Sequence, residues 1–297
     1  MPSLRDIRKR ISSVKNTGKI TRAMQMVSAA KFRKLQEGLF KARPYSRKIE
    51  SLLANLSSGV ERENYPLLNL RPRKSVELLV VTSDKGLCGA FNTNVLRAAY
   101  ETYGELKREG LQVSIVGIGK KAREYFTRRG IPLRHAYTDV GRTVSFQDTK
   151  ITADLMTEYY TDERSDEVIL IYNEFKSALI QKVKRTRLLP IEPPEGVLPP
   201  ASEAANTGDF ASKYIFEPSE ERILENLLPK YIETVVYMSI LESRVSEEAA
   251  RMMAMENANK NTKEMIGKLT LKYNKARQAS ITGELMDIVG GAAAISK

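Results

Sequence analysis

The sequence predicts an α/β plus long-helix protein: a Rossmann-like α/β domain of about five strands, mainly parallel, spliced between two long helices that pair as an antiparallel coiled coil. Three observations predict it. Two proline-free stretches, from Pro2 to Pro44 and from Pro229 to Lys297, carry apolar residues at alternating spacings of three and four. The middle alternates short β-rich apolar runs with amphipathic helical stretches. Both long helices attach to that one domain, so the simplest path takes the first in and the second back out.

Along the chain, Leu4, Ile7, Ile11 and Val14 open the first seam, which is expected to shift phase after Gly18 towards Ile20, Met24 and Val27. Pro44 is expected to kink this helix. Ile49, Leu52, Leu53 and Leu56 continue its apolar face until Ser57, Ser58 and Gly59 end it. The first helix therefore occupies 1–58, followed by a linker at 59–75 and the α/β domain at 76–190. In that domain Val76–Thr82, Gln112–Gly117 and Val168–Asn173 read as buried parallel strands, flanked by helices at Asn92–Glu109, Lys120–Arg129 and Asp148–Tyr160. Ile180–Leu189 alternates and is rich in Lys and Arg, as an edge strand is. A loop is expected at 191–218.

The second helix, 219–297, starts at Ser219 with Glu220 and Glu221 at its positive end. Met238, Leu241, Val245, Ala249 and Met252, then Ile266, Leu269, Tyr273 and Ala276, keep the seam. At about 1.5 Å per residue the helix approaches ~120 Å, so it needs partners along its length. It outlasts the first helix, and nothing between Asp287 and Lys297 is charged. Such a tip is expected to sit in an apolar sleeve supplied by another protein.

Composition narrows the chemistry. One cysteine, Cys88, and one histidine, His135, leave no His/Cys cluster for zinc and no internal disulfide. No run approaches the roughly 18 to 20 apolar residues of a membrane span, and charges in the first ten residues stand where a signal peptide is apolar, so a cytosolic or matrix-like protein is expected. The net charge of +12 resides in residues 1–48, which hold fourteen Lys or Arg against Asp6 and Glu37. A segment so basic suits a polyanion or an acidic protein surface. Only Phe32 and Phe40 precede Tyr45 as stacking aromatics, and the apolar seam commits one side to a helix, so an acidic protein surface fits better than nucleic acid.

The glycine-containing loop Ser83–Asn92 follows a strand and precedes a helix, where phosphates often bind. It has neither G-x-x-x-x-G-K-[ST] nor G-x-G-x-x-G, and Asn92 reads as a helix cap, so a structural turn or subunit contact is expected. Gly117-Ile118-Gly119 is weaker still. Cys88 reads as a small buried residue, and the helical methionines as packing.

With both helices in view, three runs carry a resemblance: Lys19 to Lys31 (KITRAMQMVSAAK), Ser83 to Asn92 (SDKGLCGAFN), and Tyr273 to Thr282 (YNKARQASIT) together with Gly290 to Ala294. In that order they resemble the gamma-subunit family of bacterial-type rotary F-type ATP synthases over essentially the whole chain. The resemblance implies a non-catalytic rotor shaft without cofactor in a proton-translocating complex at the cytoplasmic face of the membrane. Its implied partners are a hexamer of alpha and beta subunits, the epsilon subunit and the c ring. It further implies that Arg277, Gln278 and Thr282 meet the catch loop of beta, that Met24 and Lys31 face the beta lever, and that Leu285, Ile288, Val289 and Ala292 form the apolar bearing tip. Tyr214 and Glu217 would lie at the foot beside the c ring and epsilon. The cysteine-pair insertion of chloroplast relatives is absent, since Cys88 is alone.

Overall fold

The protein is represented by a computed structural model that describes residues 3–57, 60–138, 145–192 and 219–295. In chain order the elements are α1 (Leu4–Ser57), a 3-10 turn (Arg62–Asn64), β1 (Ser75–Val81), α2 (Phe91–Arg108), β2 (Gln112–Ile118), α3 (Lys120–Thr127), β3 (His135–Tyr137), α4 (Phe146–Thr161), β4 (Glu167–Phe175), β5 (Gln181–Leu189) and α5 (Glu220–Ile295). Two compact units result: Met1–Ala30 with Arg251–Lys297, and Lys31–Ala250.

In the unit Lys31–Ala250 the strands form one sheet in the order β3-β2-β1-β4-β5. The first four are mutually parallel, and β5 runs antiparallel at the edge. Parallel neighbours need long crossover connections, which the intervening helices supply, whereas the tight β4–β5 connection permits only an antiparallel return. Six of the seven residues of β1 are buried, as a strand covered on both faces requires. One face packs Val76, Leu78, Val80, Ile115, Ile169 and Ile171 against α2 and α3, with Phe126 fully enclosed. The other packs Leu79, Val81, Leu170 and Tyr172 against α4 and against Leu53, Leu228, Ile232 and Val236 of the long helices. Gly119 belongs to this frame: at φ 97° a Cβ would stand 2.5 Å from the Thr82 carbonyl, so only glycine lets β2 turn into α3 there.

Both long helices run through their prolines, Pro44 and Pro229, as single helical elements. Pro44 therefore does not end α1. Leu39 and Ile49, on either side, are buried and anchor the helix across the missing hydrogen bond.

The other unit is a two-stranded coil. Its entry is a capping box: the Asp6 amide donates to Ser3 Oγ (3.2 Å), and the Ser3 amide donates to Asp6 Oδ2 (3.2 Å). Contacts pair Arg8 with Tyr273, Gly18 with Thr262 and Thr21 with Asn259, so partner numbers fall as α1 advances and the helices are antiparallel. The inward residues of α1 are Leu4, Ile7, Ile11, Val14, Gly18, Thr21, Gln25 and Ser28, an unbroken three-four repeat. The expected phase shift does not occur. Ile20 and Val27 point outward, being 61% and 55% exposed, because the seam keeps its register through small and polar residues. Opposite lie Met255, Asn259, Thr262, Ile266, Leu269, Tyr273, Ala276 and Ser280, in the same repeat.

Candidate partner interface

The polar part of the seam is closed by hydrogen bonds. Thr21 Oγ1 donates to Asn259 Oδ1 (2.6 Å), and Asn259 Nδ2 donates to Gln25 Oε1 (2.9 Å). Both atoms of the amide are used, which meets the demand of a partly buried polar group. Apolar periodicity alone passed over these residues; the sign available in the sequence was an uninterrupted three-four spacing occupied by Gly, Thr, Gln and Ser.

Ser280 is half-buried; from Ile281 to Val289 every residue is exposed. At about 100° per residue, Arg277, Gln278, Ile281, Thr282, Leu285, Ile288 and Val289 fall within an arc of about 140°. They form one exposed face that begins with a cation and an amide and becomes apolar towards the tip, where Leu285, Ile288 and Val289 are 57%, 68% and 61% exposed. Thr282 Oγ1 donates to the Gln278 carbonyl (2.9 Å), the local bond a helical threonine makes. Ala292 lies within α5, its side chain outside the described residues. Tyr214 and Glu217 also lie outside them.

Of the two first-helix candidates, Met24 is half-buried, whereas Lys31, in the other unit, is exposed with Nζ 4.0 Å from Glu248 Oε1. Arg5, Lys9, Arg10, Lys15, Lys19 and Arg22 are all exposed, so the basic segment presents its charge outward. Arg8 instead turns to Tyr273, donating to its hydroxyl (3.3 Å) with the guanidinium 5.8 Å from the ring centre.

The loop Ser83–Asn92 is a turn closed by its own side chains and tied to the start of α3. Asn92 does not cap α2, which begins at Phe91 after Ala90. Its side chain reaches back instead: Oδ1 accepts from the Ser83 amide (3.0 Å), and Nδ2 donates to Ser83 Oγ (2.8 Å) and towards Cys88 Sγ (3.2 Å). Asp84 Oδ1 accepts from the Lys120 amide (2.9 Å) at the amino end of α3, so the chain's own carboxylate takes the place at which an anion is bound in related folds. Cys88 is buried.

A second polar feature escaped the sequence reading. Glu77, in the middle of β1, is fully buried, and Arg134 Nε stands 3.2 Å from its Oε2. Burial pushes this carboxyl up to about 7, and the charge of Arg134 opposes the rise. A lone Glu inside an apolar run is its only sign in the sequence.

Comparison with known proteins accounts for this architecture. A family model described as ATP synthase matches residues 3–295. The ATP synthase gamma chain of Pelotomaculum thermopropionicum is 44% identical over 295 residues, covering 99% of this chain and 100% of that protein. That of Geotalea daltonii is 45% identical over 295 residues, covering 99% of each. Among solved structures, a chain of the central stalk and c ring of Tetrahymena thermophila mitochondrial ATP synthase is 28% identical with a TM-score of 0.59, covering 80% of this chain and 99% of that one. A chain of the Euglena gracilis mitochondrial ATP synthase shares the fold with a TM-score of 0.66 at 22% identity, over 98% of this chain and 94% of that one. The chain belongs to the ATP synthase gamma-chain family.

Proposed function

We propose that the chain is the central rotor shaft of a proton-translocating F-type ATP synthase, carrying torque between the membrane c ring and the catalytic beta subunits while catalysing nothing itself. The observation that carries this reading is the inverted surface of the two-stranded unit: its seam is partly polar, and its apolar side chains at Ile281, Leu285, Ile288 and Val289 face outward. Isolated water-facing helices do not gain from such a face; a helix turning inside an apolar sleeve does. In this reading the alpha and beta hexamer supplies the sleeve around Leu285, Ile288, Val289 and Ala292. Arg277, Gln278 and Thr282 meet the beta catch loop, where the planar donors of arginine suit a carboxylate. Met24 and Lys31 face the beta lever, whose acidic residues would match the basic helix.

The helical segments 1–58 and 219–297 then form the shaft, and 76–190 the foot, with 59–75 as linker. The loop 191–218, including Tyr214 and Glu217, would lie beside the c ring and epsilon. An asymmetric shaft presents different contacts to three equivalent beta subunits, and differential contact is what moves them between conformations. Among the described residues no helix is long and apolar enough to cross a membrane. In this reading the chain is attached peripherally, at the cytoplasmic face, through the complex.

Reconstitution with separate alpha and beta subunits tests the reading, using a bead on a cysteine introduced in the α/β domain. Stepwise unidirectional rotation during ATP hydrolysis is expected; an active complex in which this chain stays still would end the proposal. Replacing Arg277 and Gln278 together by Ala is expected to lower turnover of the assembled complex about tenfold, the scale of losing one or two charge-assisted hydrogen bonds, with the isolated chain melting unchanged. Unaltered turnover would remove their assigned role.

A further inference from the structure

The buried carboxylate in the middle of the sheet has no part in the shaft reading. Glu77 lies on the central strand, fully enclosed, and among the described residues neither carboxylate oxygen meets a hydrogen-bond donor apart from its ion pair with Arg134. Arg134 is a hub. It immediately precedes β3, its amide donates to the Ile115 carbonyl (2.8 Å), its Nη2 donates to Ser114 Oγ (2.7 Å), and its guanidinium lies 4.7 Å from the centre of the Tyr159 ring. Through this one side chain the three-residue edge strand β3 is tied to β1, β2 and α4. Among the described residues, Arg134 is the one charge beside Glu77, and the ionisable side chains gathered at its Tyr159 platform are His135 of β3, with Tyr137 stacked on it, and Arg164 of the turn after α4. His135 stacks near both Tyr137 and Tyr159, and Arg164 sits over Tyr159. The neighbouring strands present Ser114 and Val168 to Glu77 in register.

We propose that Glu77 and Arg134 form a proton-operated pin on the β3 edge of the sheet, closed while the carboxylate is ionised and released when it takes a proton from solvent. An enclosed carboxylate whose charge is answered by a single, partly exposed guanidinium has little to hold it ionised, since the pair must offset the desolvation of both groups. Once Glu77 is neutral, Arg134 can turn to water at its exposed end, and the short edge strand keeps its few backbone bonds and the ring contact of His135 with Tyr159.

The sign of the linkage separates this pin from an ordinary structural salt bridge. Burial raises the Glu77 carboxyl from 4.5 to about 7, so its ionised form weakens the fold as a whole. The contribution of this group to global stability is therefore lowest above about pH 7 and grows as the pH falls towards 4.5, while the local tie on β3 is lost over the same range. Global and local stability move in opposite directions.

The test uses the full chain and its Glu77→Gln variant, which mimics the protonated state. Amide hydrogen exchange of residues 134–137, corrected for its intrinsic pH dependence, is expected to lose about fivefold in protection between pH 8 and pH 6 in the unaltered chain. In Glu77→Gln the same amides should be fast at both pH values, while the melting temperature at pH 8 rises by about 2 °C. The carboxyl carbon resonance of Glu77 should titrate near neutrality. A His135→Gln control must keep the pH dependence, because histidine is the other side chain whose charge ordinarily changes in this range. The pin is overturned if protection at 134–137 is independent of pH, if the dependence disappears with His135, or if Glu77→Gln lowers both the melting temperature and the protection.

Discussion

The two compact units spend polar and apolar side chains in opposite ways. In Lys31–Ala250 the apolar residues are enclosed, and the buried acids Glu77, Glu167, Glu233, Glu247 and Glu248 each lie beside a cation: Arg134, Arg73 with Arg187, Lys150 with Lys230, Arg244 and Lys31. In the two-stranded unit an asparagine, a glutamine and two threonines occupy the seam, while Ile20, Met26, Val27, Leu271 and Leu285 face out. The first arrangement stabilises the unit by itself; the second leaves much of its apolar area for a partner to cover. The difference teaches that α1 and α5 serve two purposes: they contribute to an enclosed core in one unit and present an apolar surface in the other.

The contrast is broken most severely by emptying the core. Leu170→Ala, in a strand covered on both faces, is expected to cost about 3 kcal/mol by chemical denaturation of the isolated chain. A loss below ~1 kcal/mol would mean that the α/β unit is not the source of stability supposed here. Asn259→Ala sharpens the comparison at an intermediate scale: it leaves the Thr21 hydroxyl only the Gly18 carbonyl (3.2 Å) and takes the donor from Gln25 Oε1, and about 1 kcal/mol of coil stability should go, read as faster amide exchange in 18–28 and 255–266. Exchange confined to its original rate would show that water replaces the amide without cost. The smallest effect is expected at the tip, where Leu285→Ser should change the stability of the isolated chain by less than about 0.5 kcal/mol while weakening assembly with alpha and beta subunits. Equal assembly of both forms would deny the exposed face its partner.

Much of this was legible in the sequence. The long helices, the three central strands within a residue or two and the basic edge strand follow from periodicity and composition, because helical and strand spacing are local properties of the chain. The tip was legible for the same reason: eleven residues with one charge, Asp287, stand at 285–295. The seam between Gly18 and Ser28 was misread because apolar residues were followed and the inward positions there are small or polar. Asn92 was misread as a cap because its residue type and place suit one, whereas its true partner, Ser83, lies across the loop.

By itself the sequence determined the two helices, their antiparallel return, the parallel sheet and the family. Tertiary structure alone decided which face of α1 turns inward from Gly18 to Ser28, since a heptad written in Gly, Thr, Gln and Ser becomes a seam only when Asn259 and Thr262 stand opposite it. It likewise decided that Glu77 and Arg134, fifty-seven positions apart, meet as an ion pair. Both depend on pairing between distant segments, and local spacing carries no information about which polar group a folded neighbour will bring to meet another.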